Sequence, residues 1–134
     1  MSKAVVIGGN SFSGSNTIRA LLEKDFEVLS IGRSEEIVGP FNPYRKFVTR
    51  SNFRFVSGKL NSEVESMAVE IAEFKPKIIF NFAAQSMVGE SWKTPEDWYE
   101  ANVVGVAKLA NELSRITSIE KFIQFTTPEV YGTT

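Results

Sequence analysis

The sequence predicts a three-layer α/β fold: a parallel β-sheet in the order 3-2-1-4-5 with helices on both faces. Three observations carry this. Short apolar runs alternate with amphipathic helical stretches along the whole chain, the pattern of right-handed βαβ units. The first run, Ala4-Val5-Val6-Ile7, is largely β-branched, as suits a strand buried on both faces. It breaks directly into Gly8-Gly9-Asn10-Ser11-Phe12-Ser13-Gly14 and then a helical pattern, the strand–turn–helix entry of a Rossmann fold.

Each element has its own signal. Residues 3–7 form the first strand. Residues 13–24 form a helix with Gly14, Ile18, Leu21 and Leu22 on one face. A second strand spans 27–31 and a third 53–56. Residues 62–74 form an amphipathic helix with the stripe Val64, Met67, Ala68, Ile71 and Phe74; Ser62 and Glu65 have capping-box spacing, and Pro76 stops it. A fourth strand covers 77–82. Thr94-Pro95-Glu96-Asp97 reads as an N-cap, a first-turn proline and first-turn acids. The helix so opened runs to about Arg115 and turns Trp98, Asn102, Val106, Leu109, Ala110 and Leu113 inward. A fifth strand covers 121–125. The long irregular segment from Arg33 to Asn52 is locally basic and reads as a solvated loop or a functional one.

Composition narrows the chemistry. The 134 residues suffice for one domain with a sizeable core. A net charge of -1 gives no support for nucleic-acid or anionic-membrane binding. Cysteine and histidine are absent, so disulfides, thiolate or imidazole metal sites and His-based triads are excluded, and no metal is expected. No apolar stretch is long enough to span a membrane or to act as a signal peptide, and a cytoplasmic location is the default expectation.

The glycine turn suits a dinucleotide pyrophosphate, because backbone N–H groups and the positive end of a helix converge there. A tight turn without ligand is the plainer reading. Ser11 replaces the usual middle glycine of the Gly8-x-x-Ser11-x-x-Gly14 pattern, and its hydroxyl could itself bond a phosphate. The second strand ends in Gly32-Arg33-Ser34 rather than in an acid. An acid there would hold a ribose 2′-hydroxyl, whereas a guanidinium and a hydroxyl suit a 2′-phosphate. NADP is therefore expected ahead of NAD, with an exposed strand-end arginine as the alternative.

Four segments together resemble the extended short-chain dehydrogenase/reductase family of nucleotide-sugar epimerases and 4,6-dehydratases. They are Ile7–Gly14, Asn81-Phe82-Ala83-Ala84-Gln85-Ser86-Met87-Val88, Asn102-Val103-Val104-Gly105, and Thr126-Thr127-Pro128-Glu129-Val130-Tyr131-Gly132. Gln85-Ser86 and the Arg33 region lean toward members similar to GDP-mannose 4,6-dehydratase. The resemblance implies cofactor contacts from Gly8, Asn10, Ser11, Phe12, Gly14, Arg33, Ser34, Leu60, Phe82, Ala83, Ala84, Gln85 and Thr126, and substrate contacts from Ser86 and Val88. It implies catalytic roles for Thr127, beside the sugar oxygen, and Glu129, as base. Asn102 would hold the backbone near the site, or be an ordinary core asparagine.

The implied activity is transient C4 oxidation of a nucleotide sugar by hydride transfer, followed by epimerisation or loss of water. A non-catalytic dinucleotide-binding module is the alternative, and a homodimer is among the states left open. Two departures stand out. Pro128 occupies the place of the dehydratases' acid, and Lys59 replaces the acid expected at the adenine. No Tyr-x-x-x-Lys pair is present, so the 134 residues are expected to be the incomplete, truncated NAD(P)-binding part of such an enzyme and to be inactive alone.

Overall fold

A computed structural model describes residues 1–40 and 42–132 of the chain. Five strands, β1 (Lys3–Ile7), β2 (Glu27–Gly32), β3 (Phe53–Ser57), β4 (Ile78–Asn81) and β5 (Lys121–Gln124), form one all-parallel sheet in the order β3-β2-β1-β4-β5. The topology is the one expected. Between the strands lie α1 (Phe12–Leu22), α2 (Val64–Phe74), two short helices α3 (Val88–Ser91) and α4 (Pro95–Tyr99), and α5 (Val106–Leu113).

The period of two along a strand divides the core into two layers. On one face Val5, Ile7, Leu29, Ile31 and Ile79 pack against Val64, Met67, Ile71 and Phe74 of α2 and Leu109 and Leu113 of α5. On the other, Ala4, Val6 and Val28 pack against Ile18, Leu21 and Leu22 of α1 and against Tyr44. Residues 4–7 are at most 1% exposed. Each fully buried aliphatic side chain here contributes about 1.5–3 kcal/mol relative to exposure. Both predicted helix faces, on α1 and α2, are the buried ones.

Three local expectations fail. The Ser62–Glu65 capping box does not form. The Ser62 and Glu63 amides bond the Lys59 carbonyl, so the chain is still turning there, and α2 starts at Val64 without a side-chain cap. Thr94 precedes α4, but its hydroxyl makes no capping bond. The long helix is interrupted by a π-helical stretch, Glu100–Gly105, between α4 and α5. From Glu100 to Leu113 the buried residues are Ala101, Gly105, Leu109 and Leu113, Val106 packs against the same core as expected, and Ala110 is exposed. A four-residue spacing exceeds the about 3.6 residues of an α-turn, and the wider π-turn absorbs the excess.

The 33–52 segment is no plain solvated loop. It contains a 3-10 turn, Arg45–Phe47, and buries Asn42 and Tyr44. Tyr44, 1% exposed, packs on Phe53 with ring centroids 5.0 Å apart and donates its hydroxyl to Glu36 at 3.2 Å. Burial pushes the Tyr44 hydroxyl up from 10.0 to about 12, with Asn42 opposing and the Glu36 charge adding to it. The folded state therefore favours the neutral phenol. That stability is intact below the unfolded value near 10 and is lost as pH rises through about 12, a loss of about 2–3 kcal/mol. Urea titrations between pH 9 and pH 12 should show this decline in the wild type, and Tyr44→Phe should lack it. Equal declines in the two would refute the assignment.

Candidate functional site

The glycine turn closes at the carboxyl end of β1. Gly8 has φ +83, and its N–H bonds the Ile31 carbonyl at 2.8 Å. A Cβ on Gly8 would lie 2.8 Å from the Ala83 nitrogen and 2.9 Å from the Phe82 carbonyl carbon. One on Gly9 would overlap the buried Ser30 hydroxyl, and one on Gly14 would overlap the Gly8 carbonyl. These glycines let helix, turn and sheet approach more closely than any side chain allows. The Ser11 hydroxyl N-caps α1, accepting from Gly14 N–H at 3.0 Å and donating to the Gly8 carbonyl at 2.8 Å. Its proton is thus already engaged. The Phe12 and Ser13 amides, in the first turn of α1, have no hydrogen-bond partner among the described residues. An anion at this helix end would satisfy them.

A groove of about 290 Å³ runs across the carboxyl ends of β1, β2 and β4. Ten expected residues line it: Gly8, Asn10, Ser11, Arg33, Ser34, Leu60, Phe82, Ala83, Ala84 and Gln85. Ile7, Ile31, Gly32, Gly58, Lys59, Asn61 and Ala101 complete the wall. Among the described residues the groove carries two cations, Arg33 and Lys59, and no carboxylate, so their field favours an anionic ligand.

The remaining expected residues lie elsewhere. Phe12 is 85% exposed on α1, and Gly14 packs behind the turn. Ser86, before α3, and Val88, its first residue, are both exposed. Thr126 and Thr127 are exposed beyond β5, at the same edge of the sheet but outside the groove lining. The Glu129 side chain lies outside the described residues.

A polar framework holds the β4 side of the groove. Asn81, fully buried, donates to Gln124 Oε1 at 2.8 Å and accepts from the Ala83 amide at 3.1 Å. Phe82 stacks on Phe125 with centroids 3.9 Å apart. Asn102, on the π-helical stretch, accepts from the Gln85 amide at 2.8 Å and donates to the Gln85 carbonyl at 2.9 Å. Three residues on, Gly105 lies so close to Leu60 that a Cβ would overlap its carbonyl oxygen. The π-turn thus fixes both Gln85 and Leu60, two residues of the groove wall. Across the groove, the Arg33 guanidinium donates to Gln85 Oε1 at 3.3 Å.

Gly58, Asn61 and Ala101 were not among the expected residues. Gly58 carried a readable signal, a glycine just past a strand. A Cβ there would lie 2.6 Å from Met67 Cγ and 2.9 Å from Ile31 Cγ2.

The family profile for GDP-mannose 4,6 dehydratase matches residues 5–134. The chain belongs to the GDP-mannose 4,6 dehydratase family. Members of the extended short-chain dehydrogenase/reductase group are its relatives. A UDP-glucose 4-epimerase of Neisseria meningitidis serogroup C is 30% identical over 132 residues, 98% of this chain and 38% of the epimerase. The UDP-glucose 4-epimerase of Bifidobacterium longum, solved with NAD+ and UDP, is 25% identical and superposes with a TM-score of 0.80 over 98% of this chain and 39% of its own. The dTDP-glucose 4,6-dehydratase of Bacillus anthracis, solved with NAD, is 26% identical with a TM-score of 0.76, over 100% and 40%. This family member thus spans about 40% of the length of each of these three proteins. Among its described residues no helix is long and apolar enough to cross a membrane, and no cluster of acidic residues could hold a metal ion.

Proposed function

We propose that residues 1–134 are the NAD(P)-binding Rossmann domain of a nucleotide-sugar epimerase or dehydratase. The single observation that supports this most is the groove. It joins the glycine turn, the end of β2 and the small residues Ala83 and Ala84 in one continuous wall, and the α1 amides without a partner among the described residues follow directly after Ser11 of that wall. A nicotinamide dinucleotide bound there would accept a hydride from the sugar's C4.

The chain's own residues would do the rest. The Gly8–Gly14 turn and the α1 amides would hold the diphosphate. The small Ala83 and Ala84 side chains would admit a ribose, on a backbone kept in place by Asn81 and Asn102. Thr127, beyond β5, would bond the sugar oxygen at the reacting carbon, and Glu129 would remove the proton α to the transient ketone. Pro128 supplies no acid beside Glu129, so elimination would need a proton donor from elsewhere for the departing hydroxyl, whereas epimerisation expels no hydroxyl and would only return to the C4 oxygen the proton taken from it. Lys59 and Pro128 are also the observations that favour the second reading, a dinucleotide-binding module without turnover.

At the 2′ end, Arg33 and Ser34 support NADP, while the relatives solved with NAD make NAD the competing expectation. Calorimetric titration with both cofactors tests this. Arg33→Ala is expected to weaken NADP binding about tenfold and to leave NAD within about threefold. Unchanged NADP affinity would remove Arg33 from the role, and no binding of either cofactor to the wild type would remove the reading itself.

A further inference from the structure

Asn10 is the most heavily bonded side chain of the glycine turn, and all of its bonds go to one distant segment. Its Nδ2 donates to the Ser34 carbonyl at 3.3 Å, to Ser34 Oγ at 3.1 Å and to the Glu35 carbonyl at 2.8 Å. Its Oδ1 accepts from the Ile37 amide at 3.4 Å. Gly32 makes room for this, since a Cβ there would lie 3.2 Å from Nδ2. Asn10 is half-buried, whereas Ser34, Glu35 and Ile37 are exposed. The segment after β2 has little apolar packing at these positions, so the Asn10 amide is what joins it to the turn.

We propose that Asn10 is a positioning residue that sets discrimination between a ribose 2′-phosphate and a 2′-hydroxyl. The proposal rests on the groove being a dinucleotide site. An Asn10 amide already committed to Ser34 and Glu35 has no free donor for the ligand; it acts through Ser34. Because Ser34 Oγ accepts from Asn10, its own proton turns away from Asn10 and is free to donate. A 2′-phosphate oxygen can only accept, so a hydroxyl held as a donor suits it. The same bonds hold the backbone beside Arg33 at the rim of the groove.

The test is calorimetric titration of residues 1–134 with NADP and with NAD, in the wild type, Asn10→Ala and Asn10→Leu. The leucine keeps bulk and removes every hydrogen bond. The ratio of the two dissociation constants is expected to move about tenfold toward equality in both variants, with faster hydrogen exchange at the Ile37 amide. A ratio unchanged within about threefold, or equal loss of both cofactors, overturns the proposal and leaves the groove reading standing. A wild type that binds neither cofactor takes down both. If the Asn10 variants do not fold, Ser34→Ala, at an exposed position, must give the same shift in ratio; no shift there also overturns the proposal.

Discussion

Replacing Gly8 with alanine is expected to destabilise the fold by about 2–5 kcal/mol and to abolish dinucleotide binding. Two separate costs combine. The φ of +83 lies in the region where an L side chain meets its own backbone, at about 1–2 kcal/mol. The new methyl would also press on the Ala83 nitrogen at 2.8 Å and the Phe82 carbonyl carbon at 2.9 Å. Both are backbone atoms, unable to rotate aside, and forced overpacking of this kind costs about 1–3 kcal/mol. Relief would have to come from moving Gly8 away from the segment after β4, which loosens its 2.8 Å bond to Ile31 and opens the turn in the groove wall. Gly89→Ala is the control, since among the described residues nothing lies within 4 Å of its Cβ position and its φ is not positive; it should leave stability within about 0.5 kcal/mol. Urea denaturation and cofactor titration of both variants measure the contrast. A Gly8→Ala protein as stable as the control, with cofactor affinity intact, would show that close approach at Gly8 is not needed.

The Gly8 argument indicates which parts of the molecule were legible in its sequence. The sheet order follows from the handedness of βαβ units, although it joins strands as distant as β1 and β4. Strand β1 and the buried faces of α1 and α2 follow from periodicity, because those features are set within a few residues of themselves. The glycine turn was readable for the same reason: Gly8, Ser11 and Gly14 act on one another across a single turn. Where the fold departed from expectation, a distant partner or a competing local bond decided the outcome. The Lys59 carbonyl took the amides that the Ser62 box would have framed. The close approach of Gly105 to Leu60, across more than forty residues, accompanies the π-turn and moves Ala101 inward and Ala110 outward. Asn10 presents the same problem at the site. The resemblance implied a cofactor contact for it, yet its bonds go to residues 24 to 27 positions away, which no local pattern contains.

Asn102 provides the second large effect, and its chemistry distinguishes a specific polar clamp from mere filling of space. Its amide satisfies both the N–H and the carbonyl of Gln85, 17 residues away. Asn102→Leu leaves both groups unpaired in a half-buried setting, an expected loss of about 2–4 kcal/mol, with weaker cofactor binding because Gln85 is part of the groove wall. Asn102→Asp preserves the shape and the acceptor for the Gln85 amide, but it turns a carboxylate oxygen toward the Gln85 carbonyl. That repulsion favours the protonated acid in the folded state and raises the introduced carboxyl above its unfolded value of about 3.9. A raised folded value places the stability below the unfolded one, and it is lost as pH climbs through the folded one. The deficit of Asn102→Asp should therefore shrink as pH falls from 7 toward 4, where the protonated acid donates to the carbonyl as the amide did. The leucine variant has no such group, and its deficit should stay constant over the same range. Urea midpoints of wild type and both variants at pH 7, 5 and 4 read this directly. Parallel pH profiles for the aspartate and leucine variants would mean that the bond to the Gln85 carbonyl contributes nothing, and that Asn102 only fills its site.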